Sequence, residues 1–369
     1  MFAPSVRSKA GLLVRSAEPF NAEPTLARLA ASFITPTEQF YVRSHGPVPQ
    51  LDARSWRLSV SGDGPRPIEL SLADLKSRFP VRSVTATLQC AGNRRSELNA
   101  VRPTAGVQWD AGAIGTATWT GAALGDVLRS AGFGEPRGLH VAFSCHDALE
   151  HDGESLTYGA SIPATKALSP EVLLAYAMNG LELTPDHGFP LRAVVPGYAG
   201  VRSPKWLRAI GIQERPSDNP IQQLDYKLFG REVTKESADW ARAAPIDELP
   251  LNAAICTPAA GSVLLAGLTE VSGYAVASGR AVSRVEVSPD RGRTWTEAEL
   301  ETGPDQPWAW SLWRARVELA RGRHELAVRA WDAAGQTQPA SPEEVWNFKG
   351  YCCAAWHRVT VEVGSAPPR

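Results

Sequence analysis

From about residue 251 onward the chain is written in short runs that alternate apolar and polar residues. The runs are Ser262–Leu265, Val271–Val276, Val282–Ser288, Trp308–Trp313, His324–Ala330 and Trp356–Val363. Turn signals part them, among them Ser288-Pro289-Asp290-Arg291-Gly292 and Asp332-Ala333-Ala334-Gly335. A period of two is that of a strand buried on one face, and short strands at this spacing predict a β-sandwich of immunoglobulin type. A chain of 369 residues exceeds one typical core, so a further domain must precede the sandwich. Residues 215–250 are polar and proline-spaced and read as a linker that wraps that first domain. The expected division is 1–248, with 1–35 as an irregular lead-in and 215–248 as the wrapping linker, followed by 249–369.

The first part mixes strands and helices in no strict βαβ order, which predicts an α+β layout. Trp56–Val60 alternates as a strand. Pro67–Leu70 starts as a strand and runs into a helix capped by Ser71, with Asp74 in its first turn. Glu23–Ala31 reads as a short helix, and Gly121–Gly132 as an amphipathic helix stopped by its last glycine. Leu139–Phe143, Pro190–Pro196 and Trp206–Ile212 read as strands, and Val172–Gly180 as an apolar segment ending in an Asn-Gly turn. Twelve Trp and 29 Pro agree with β-containing, loop-rich structure.

Charge removes some classes of function. The formal net charge is -1, with no basic excess to meet nucleic acid and no long like-charge tail. No apolar run is long enough to span a bilayer. Arg7, Lys9 and Arg15 flank only Gly11–Val14, too short for the apolar core of a signal peptide, so a cytoplasmic location is expected. The five cysteines show no Cys-x-x-Cys spacing, which argues against a zinc or iron–sulfur site.

Chemistry concentrates around Leu88-Gln89-Cys90-Ala91-Gly92-Asn93-Arg94-Arg95. Val84–Leu88 is a β-branched run, and Ala91-Gly92-Asn93 a turn, so Cys90 is expected at a strand end. Arg94 and Arg95 would place positive charge beside the sulfur and favour its thiolate. A buried structural cysteine is the alternative that these residues alone leave open. Three further loops are basic or glycine-rich: Arg43-Ser44-His45, Asp186–Arg192 and Gly197–Trp206. Such loops offer backbone N–H groups and cations to a phosphate. Together with one thiol they suggest a phosphorylated, anionic cofactor. A Cys–His hydrolase pairing Cys90 with His187 would leave the arginines without a role. Gly112–Gly115 has no strand–turn–helix frame for a dinucleotide, and Gly153-Glu154-Ser155 lacks the second glycine of a nucleophile elbow.

The Cys90 stretch resembles the molybdenum-cysteine motif of the sulfite oxidase family. So do Tyr41–His45, Tyr158–Ile162, Leu173–Asn179, Asp186–Arg192, Val201–Trp206, Trp308-Ala309-Trp310, Val345–Phe348 and Ala355–Val359. The resemblance runs from about residue 36 to about residue 363. It implies a mixed α/β molybdopterin-binding domain followed by an immunoglobulin-like dimerisation domain, and hence a homodimer. It implies that Cys90 ligates molybdenum and that Tyr41, Val42, Arg43, Ser44 and His45 form a loop around the molybdopterin. It implies an acidic contact from Asp147, and phosphate and pterin contacts from His187, Arg192, Ser203, Pro204 and Lys205. Arg43, Arg95, Trp109 and Tyr158 correspond to the lining of an oxyanion pocket, and Arg94 to a structural residue. The implied activity is oxidation of sulfite or a related small oxyanion or sulfur compound. A sulfoxide or N-oxide reductase on the same fold and a metal-free binding or assembly protein are the rival readings.

Three places depart from the family pattern. Ser44 replaces the usual Asn, Lys349 stands where plant and animal enzymes carry an Arg reaching the substrate from the second domain, and Tyr351-Cys352-Cys353 replaces the usual apolar continuation. Lys keeps the charge but loses the planar fork of Arg. With no Cys-x-x-Cys-His site, no haem is expected. Electrons would leave to an external acceptor, such as a cytochrome, a quinone-linked protein or oxygen.

Overall fold

The structure is a computed structural model that describes residues 11–62, 66–134, 138–151, 153–302 and 306–364. Arg7 and Lys9 of the N-terminal argument lie outside the described residues, as do both extreme ends of the expected domains. The first part holds two five-stranded sheets. One is antiparallel, in the order Leu181–Glu182, Leu173–Met178, Ile114–Ala123, Val81–Gln89, with Arg192–Val194 also paired to Leu173–Met178. The other runs Ile68–Leu70, Leu58–Gly62, Leu207–Gln213, His140–His151, Glu154–Pro163, and is parallel only between Leu58–Gly62 and Leu207–Gln213. Leu124 and Leu174 share one buried core with Val60, Phe143, Ile162 and Ile210, so the two sheets enclose a common apolar layer.

Local chemistry explains the helix Leu72–Arg78. Asp74 N donates to Ser71 Oγ at 3.1 Å and Ser71 N donates to Asp74 Oδ2 at 2.9 Å, a reciprocal capping box at the expected cap. The Asn179-Gly180 turn also forms as expected. Both residues take positive φ, 53° and 78°, as a tight hairpin requires, and they join Leu173–Met178 to Leu181–Glu182.

Other expectations need correction. Glu23 is not helical: it lies in the strand Asn21–Pro24, and only Leu26–Leu29 forms a helix. Its buried carboxylate accepts from Asp110 N and Gly112 N, both at 2.9 Å, and that distant backbone outweighs local helix propensity. Residues 121–123 continue the strand Ile114–Ala123, and the helix is Leu124–Ser130. A Cβ on Gly121 would fall 2.0 Å from the Leu174 carbonyl oxygen, so this glycine serves a close strand contact. Leu139–Phe143 is one end of a longer hairpin, His140–His151 with Glu154–Pro163. Trp206 sits at φ 54° just ahead of the strand Leu207–Gln213.

The second part is a sandwich. One sheet runs Asn252–Thr257, Gly267–Val276, Ser311–Leu319, Glu299–Thr302, and the other Val263–Leu265, His357–Gly364, Gly322–Asp332, Val282–Ser288, Thr296–Glu297. Ile255, Val271, Val285, Trp313, Val317, Leu326, Val328 and Val361 fill the space between them. Asn252–Thr257 escaped the sequence reading because it is buried on both faces and does not alternate. Ala253 and Ile255 face the sandwich core, whereas Ala254 and Cys256 pack with Leu29, Ile114 and Trp310 of other segments. Trp308-Ala309-Trp310 lies ahead of its strand rather than in it. Thr87 N donates to Trp308 O at 2.9 Å, and Trp310 N donates to Thr87 Oγ1 at 2.8 Å, tying the sandwich to the edge strand that leads to Cys90. Among the described residues, no helix is long and apolar enough to cross a membrane.

Candidate cofactor and anion site

Cys90 follows the strand Val81–Gln89, where its backbone N–H donates to Ala113 O at 2.9 Å. Asn93 N donates back to Cys90 O at 2.9 Å and closes the turn, while Gly92 N points at the sulfur at 3.4 Å. Arg94, at φ 66°, starts the helix Arg95–Val101. The thiol is thus aimed by a sheet and gripped by a turn, at the floor of a cavity with about 670 Å³ of empty space, part of it open to solvent.

The cavity wall opposite is cationic. Arg192 donates to His187 O at 3.1 Å and Ser203 O at 3.0 Å, and its guanidinium lies over the Trp119 ring at 4.7 Å. Lys205 Nζ donates to Asp186 O at 2.8 Å and Ser44 Oγ at 3.2 Å. Burial pushes Arg192 down to about 10, and burial together with the Arg192 charge pushes Lys205 down to about 7. These cations are partnered largely by carbonyl oxygens, and their protonation would be favoured by an added anion. Burial pushes the Asp147 carboxyl up to about 6 despite Lys205, and its Oδ1 is a buried acceptor with no donor. His45 Nε2 is 2.8 Å from Tyr226 Oη, and burial plus the charges of Arg43 and Lys205 hold this imidazole well below its usual range, hence neutral.

Tyr41, Arg43, Ser44, His45, Cys90, Asp147, Tyr158, His187, Arg192, Ser203, Pro204 and Lys205 all line this one cavity. Segments from 41 to 205 converge on it: Cys90 follows the strand Val81–Gln89, Asp147 and Tyr158 lie in the hairpin His140–His151 with Glu154–Pro163, and Arg192 opens the strand Arg192–Val194. Four expected residues do not line it. Val42 is a backbone anchor, exchanging hydrogen bonds of 2.8 and 3.0 Å with Ala22. Trp109 is fully buried in the same apolar cluster as Cys90, with no partner for its indole Nε1. Arg95 lies behind the Cys90 turn, where it donates to Gly350 O at 3.0 Å and Val107 O at 2.8 Å. Lys349 lies outside the lining, its Nζ 3.5 Å from Asp225 Oδ1.

The structure corrects the expected role of Tyr158 and decides between the two readings of Arg94. The Tyr158 hydroxyl is spent on the backbone, donating to Val201 O at 2.6 Å, so it is not offered to an anion. Arg94 does not serve the sulfur: it is fully buried, holds both carboxylate oxygens of Glu97 at 2.7 Å, and donates to Asn252 Oδ1 at 2.7 Å.

Sequence reasoning missed Tyr226. It lies within the stretch expected to be a linker, yet Ile221, Tyr226, Ile246 and Leu249 are all buried in the first core. Tyr226 lines the cavity, and its hydroxyl meets both His45 and Arg43. The available signal was an aromatic residue flanked by Leu224 and Leu228 in an otherwise polar, proline-spaced segment. Phe40 and Asp186 were likewise missed as lining residues.

The donor set suits an organic, phosphorylated metal carrier. Among the described residues no group of three or more His, Cys, Asp or Glu side chains could hold a metal ion. A metal on Cys90 would therefore take its other ligands from a cofactor. The donorless Asp147 oxygen fits N–H groups of a heterocycle, and the Arg192–Lys205 wall fits a phosphate.

Comparison with known proteins agrees with this chemistry. The family model for the oxidoreductase molybdopterin binding domain matches residues 45–221, and that for the Mo-co oxidoreductase dimerisation domain matches residues 243–364. The chain is 48% identical to the sulfite oxidase of Gallus gallus over 357 residues, covering 94% of this chain and 77% of that protein. It is 39% identical to the sulfite oxidase of Arabidopsis thaliana, covering 96% of this chain and 94% of that one. It spans 66% of the length of the mammalian relatives it matches. The sulfane dehydrogenase SoxCD of Paracoccus pantotrophus shares the fold, with a TM-score of 0.79 at 23% identity over 99% of this chain and 96% of that one.

Proposed function

The chain belongs to the sulfite oxidase family of molybdopterin-binding oxidoreductases, and from that premise we propose that it oxidises sulfite to sulfate. The supporting observation is the meeting of one thiol with a cationic, phosphate-suited wall on one side and the Arg43–Tyr226 pair on the other. In this reading the Cys90 thiolate holds molybdenum. Arg192, His187 and Lys205 hold the phosphate, Asp147 and Ser203 meet the pterin, and Tyr41, Ser44 and His45 line its bed. When bound, the molybdenum cofactor supplies two-electron oxygen-atom transfer. The balanced change is sulfite plus water giving sulfate, two protons and two electrons. The electrons go one at a time to an external acceptor, for which a cytochrome, a quinone-linked protein and oxygen are the chemical options.

The chain's own residues bind and orient the substrate. Arg43 offers a guanidinium beside Cys90, although one of its N–H groups is turned to Ser44 O and to Asn21 Oδ1. Tyr226 supplies the hydroxyl that Tyr158 does not. The neutral His45 imidazole, 2.8 Å from Tyr226 Oη, fixes where that hydroxyl points. Arg95 backs the Cys90 turn from behind, and Lys349 adds a cation beside Asp225, next to Tyr226. The test is direct: protein from a cofactor-competent host is analysed for molybdenum and pterin, then assayed with sulfite and an artificial one-electron acceptor. Molybdenum-loaded protein that reduces a sulfoxide or N-oxide but leaves sulfite untouched overturns the proposal.

We further propose a homodimer through residues 249–364. The dimerisation-domain match supports it, as does a cluster of exposed side chains. Val263, Leu265 and Leu268 are 78%, 58% and 64% exposed, within six residues on an edge strand and the start of the next. An apolar edge of this kind is a liability unless a second copy covers it. Replacing Leu265 and Leu268 together by Lys should give a monomer in sedimentation; an unchanged dimer would place the interface elsewhere.

A further inference from the structure

Tyr351 has no part in the chemistry above, yet it is buried against two groups that serve the anion pocket. Its ring stacks on Tyr226, with centroids 5.1 Å apart and planes 20° from parallel. The Arg95 guanidinium carbon lies 4.9 Å from the centroid of the same ring. The ring therefore joins the hydroxyl donor on one side of Cys90 to the guanidinium behind it.

The backbone around Tyr351 reinforces this placement. Gly350 O accepts from Arg95 Nε at 3.0 Å, and Cys352 N donates to Ala91 O at 2.8 Å. Three successive residues of the second part thus grip the Cys90 loop. Asn347 locks the turn, its Oδ1 accepting from Tyr351 N at 3.1 Å and its Nδ2 donating to Tyr351 O at 2.8 Å. Arg95 itself is sheathed by glycines. A Cβ on Gly92, Gly106 or Gly350 would fall 2.7–2.8 Å from its side chain. The sheath leaves the Tyr351 ring as the aromatic face that the guanidinium rests on.

We propose that Tyr351 is a positioning residue for the oxyanion pocket, its ring fixing Arg95 and Tyr226 relative to each other and to Cys90. It sets oxyanion affinity without touching the oxyanion. The inference rests on the oxyanion-pocket reading above.

The experiment uses molybdenum-loaded protein, wild type against Tyr351→Phe, which keeps the ring, and Tyr351→Leu, which keeps the apolar volume. Two quantities are read: the dissociation constant of sulfate by titration calorimetry, which needs no turnover, and KM and kcat for sulfite. The Phe variant should stay within about twofold of wild type, whereas the Leu variant should bind sulfate about fivefold more weakly, the size of one cation–π contact. Its KM for sulfite should rise in parallel while kcat changes less. A Leu variant with wild-type sulfate affinity overturns the proposal. So does a Phe variant as impaired as Leu, or a Leu variant whose kcat falls as far as its KM rises with a lower melting temperature. Sulfate binding that depends on the ring in a wild-type protein inert to sulfite would sink the activity but keep the positioning role.

Discussion

Lys349 Nζ lies 3.5 Å from Asp225 Oδ1, so this cation of the second domain already has a counter-charge. Asp225 directly precedes Tyr226, which ties this ion pair to the residue whose hydroxyl faces the cavity.

That pairing sets a prediction for substrate affinity. Burial lowers the Lys349 ammonium below its usual range, and Asp225 opposes that shift. Asp225→Asn removes a competitor for Lys349 and a negative charge next to Tyr226, so KM for sulfite should fall by about threefold, less at high ionic strength. Lys349→Arg should also lower KM, because a planar fork can hold Asp225 and an oxyanion together. Steady-state kinetics at two salt concentrations would check both; unchanged KM values would mean that Lys349 does not meet the substrate.

Cys90→Ser exchanges one atom in a turn held by backbone hydrogen bonds. The fold and oligomeric state should survive, while sulfite oxidation drops to background. Circular dichroism and sedimentation report the first, and turnover per bound molybdenum the second. Full activity in this variant would refute the ligand role.

The buried cations and Asp147 predict how stability varies with pH in protein made without cofactor. Asp147 is raised to about 6, so its contribution is present at low pH and lost as pH rises through about 6. Lys205 is lowered to about 7, so its contribution is present above its unfolded value and lost as pH falls toward 7. The two together place a shallow minimum near pH 6–7. Lys205→Met should abolish the rise in melting temperature on the alkaline side; a rise that persists in this variant assigns it to other groups.

Arg94 and Arg95 should separate cleanly on mutation. Arg94 is fully buried and bridges Glu97 to Asn252 and Ala253 O of the second part. Arg94→Met strands the Glu97 carboxylate and should cost about 3–5 kcal/mol in denaturant unfolding. KM for sulfite in the folded fraction should hold near the wild-type value. A variant of normal stability with a raised KM would exchange the roles of the two arginines.

Much of the architecture was legible because its signals are local. Alternation marked most sandwich strands, and Ser71 with Asp74 marked a helix start. Misreadings arose where a distant partner decided the backbone: Glu23 is extended because Asp110 and Gly112 bond its carboxylate. Asn252–Thr257 was invisible because two cores bury it from opposite sides. In the site, loop composition identified the cavity lining well, since Gly, Arg and Lys next to one another are themselves the anion chemistry. Tyr226 was lost in a segment whose overall polarity resembled a linker.

The sequence by itself determined that Cys90 ends a strand, that three basic loops accompany it, and that a sandwich follows. Those facts depend on residue type and short-range spacing. Tertiary structure alone decided where the polar groups point. Arg94 turns to Asn252, 158 positions away, and Arg95 to Gly350, 255 positions away, although the two are neighbours in the chain. Tyr158 is silenced by one carbonyl, and Tyr226 and Tyr351 stack from separate segments. A buried guanidinium or hydroxyl must find a partner, and which one it finds is fixed only when distant backbone carbonyls and rings arrive beside it.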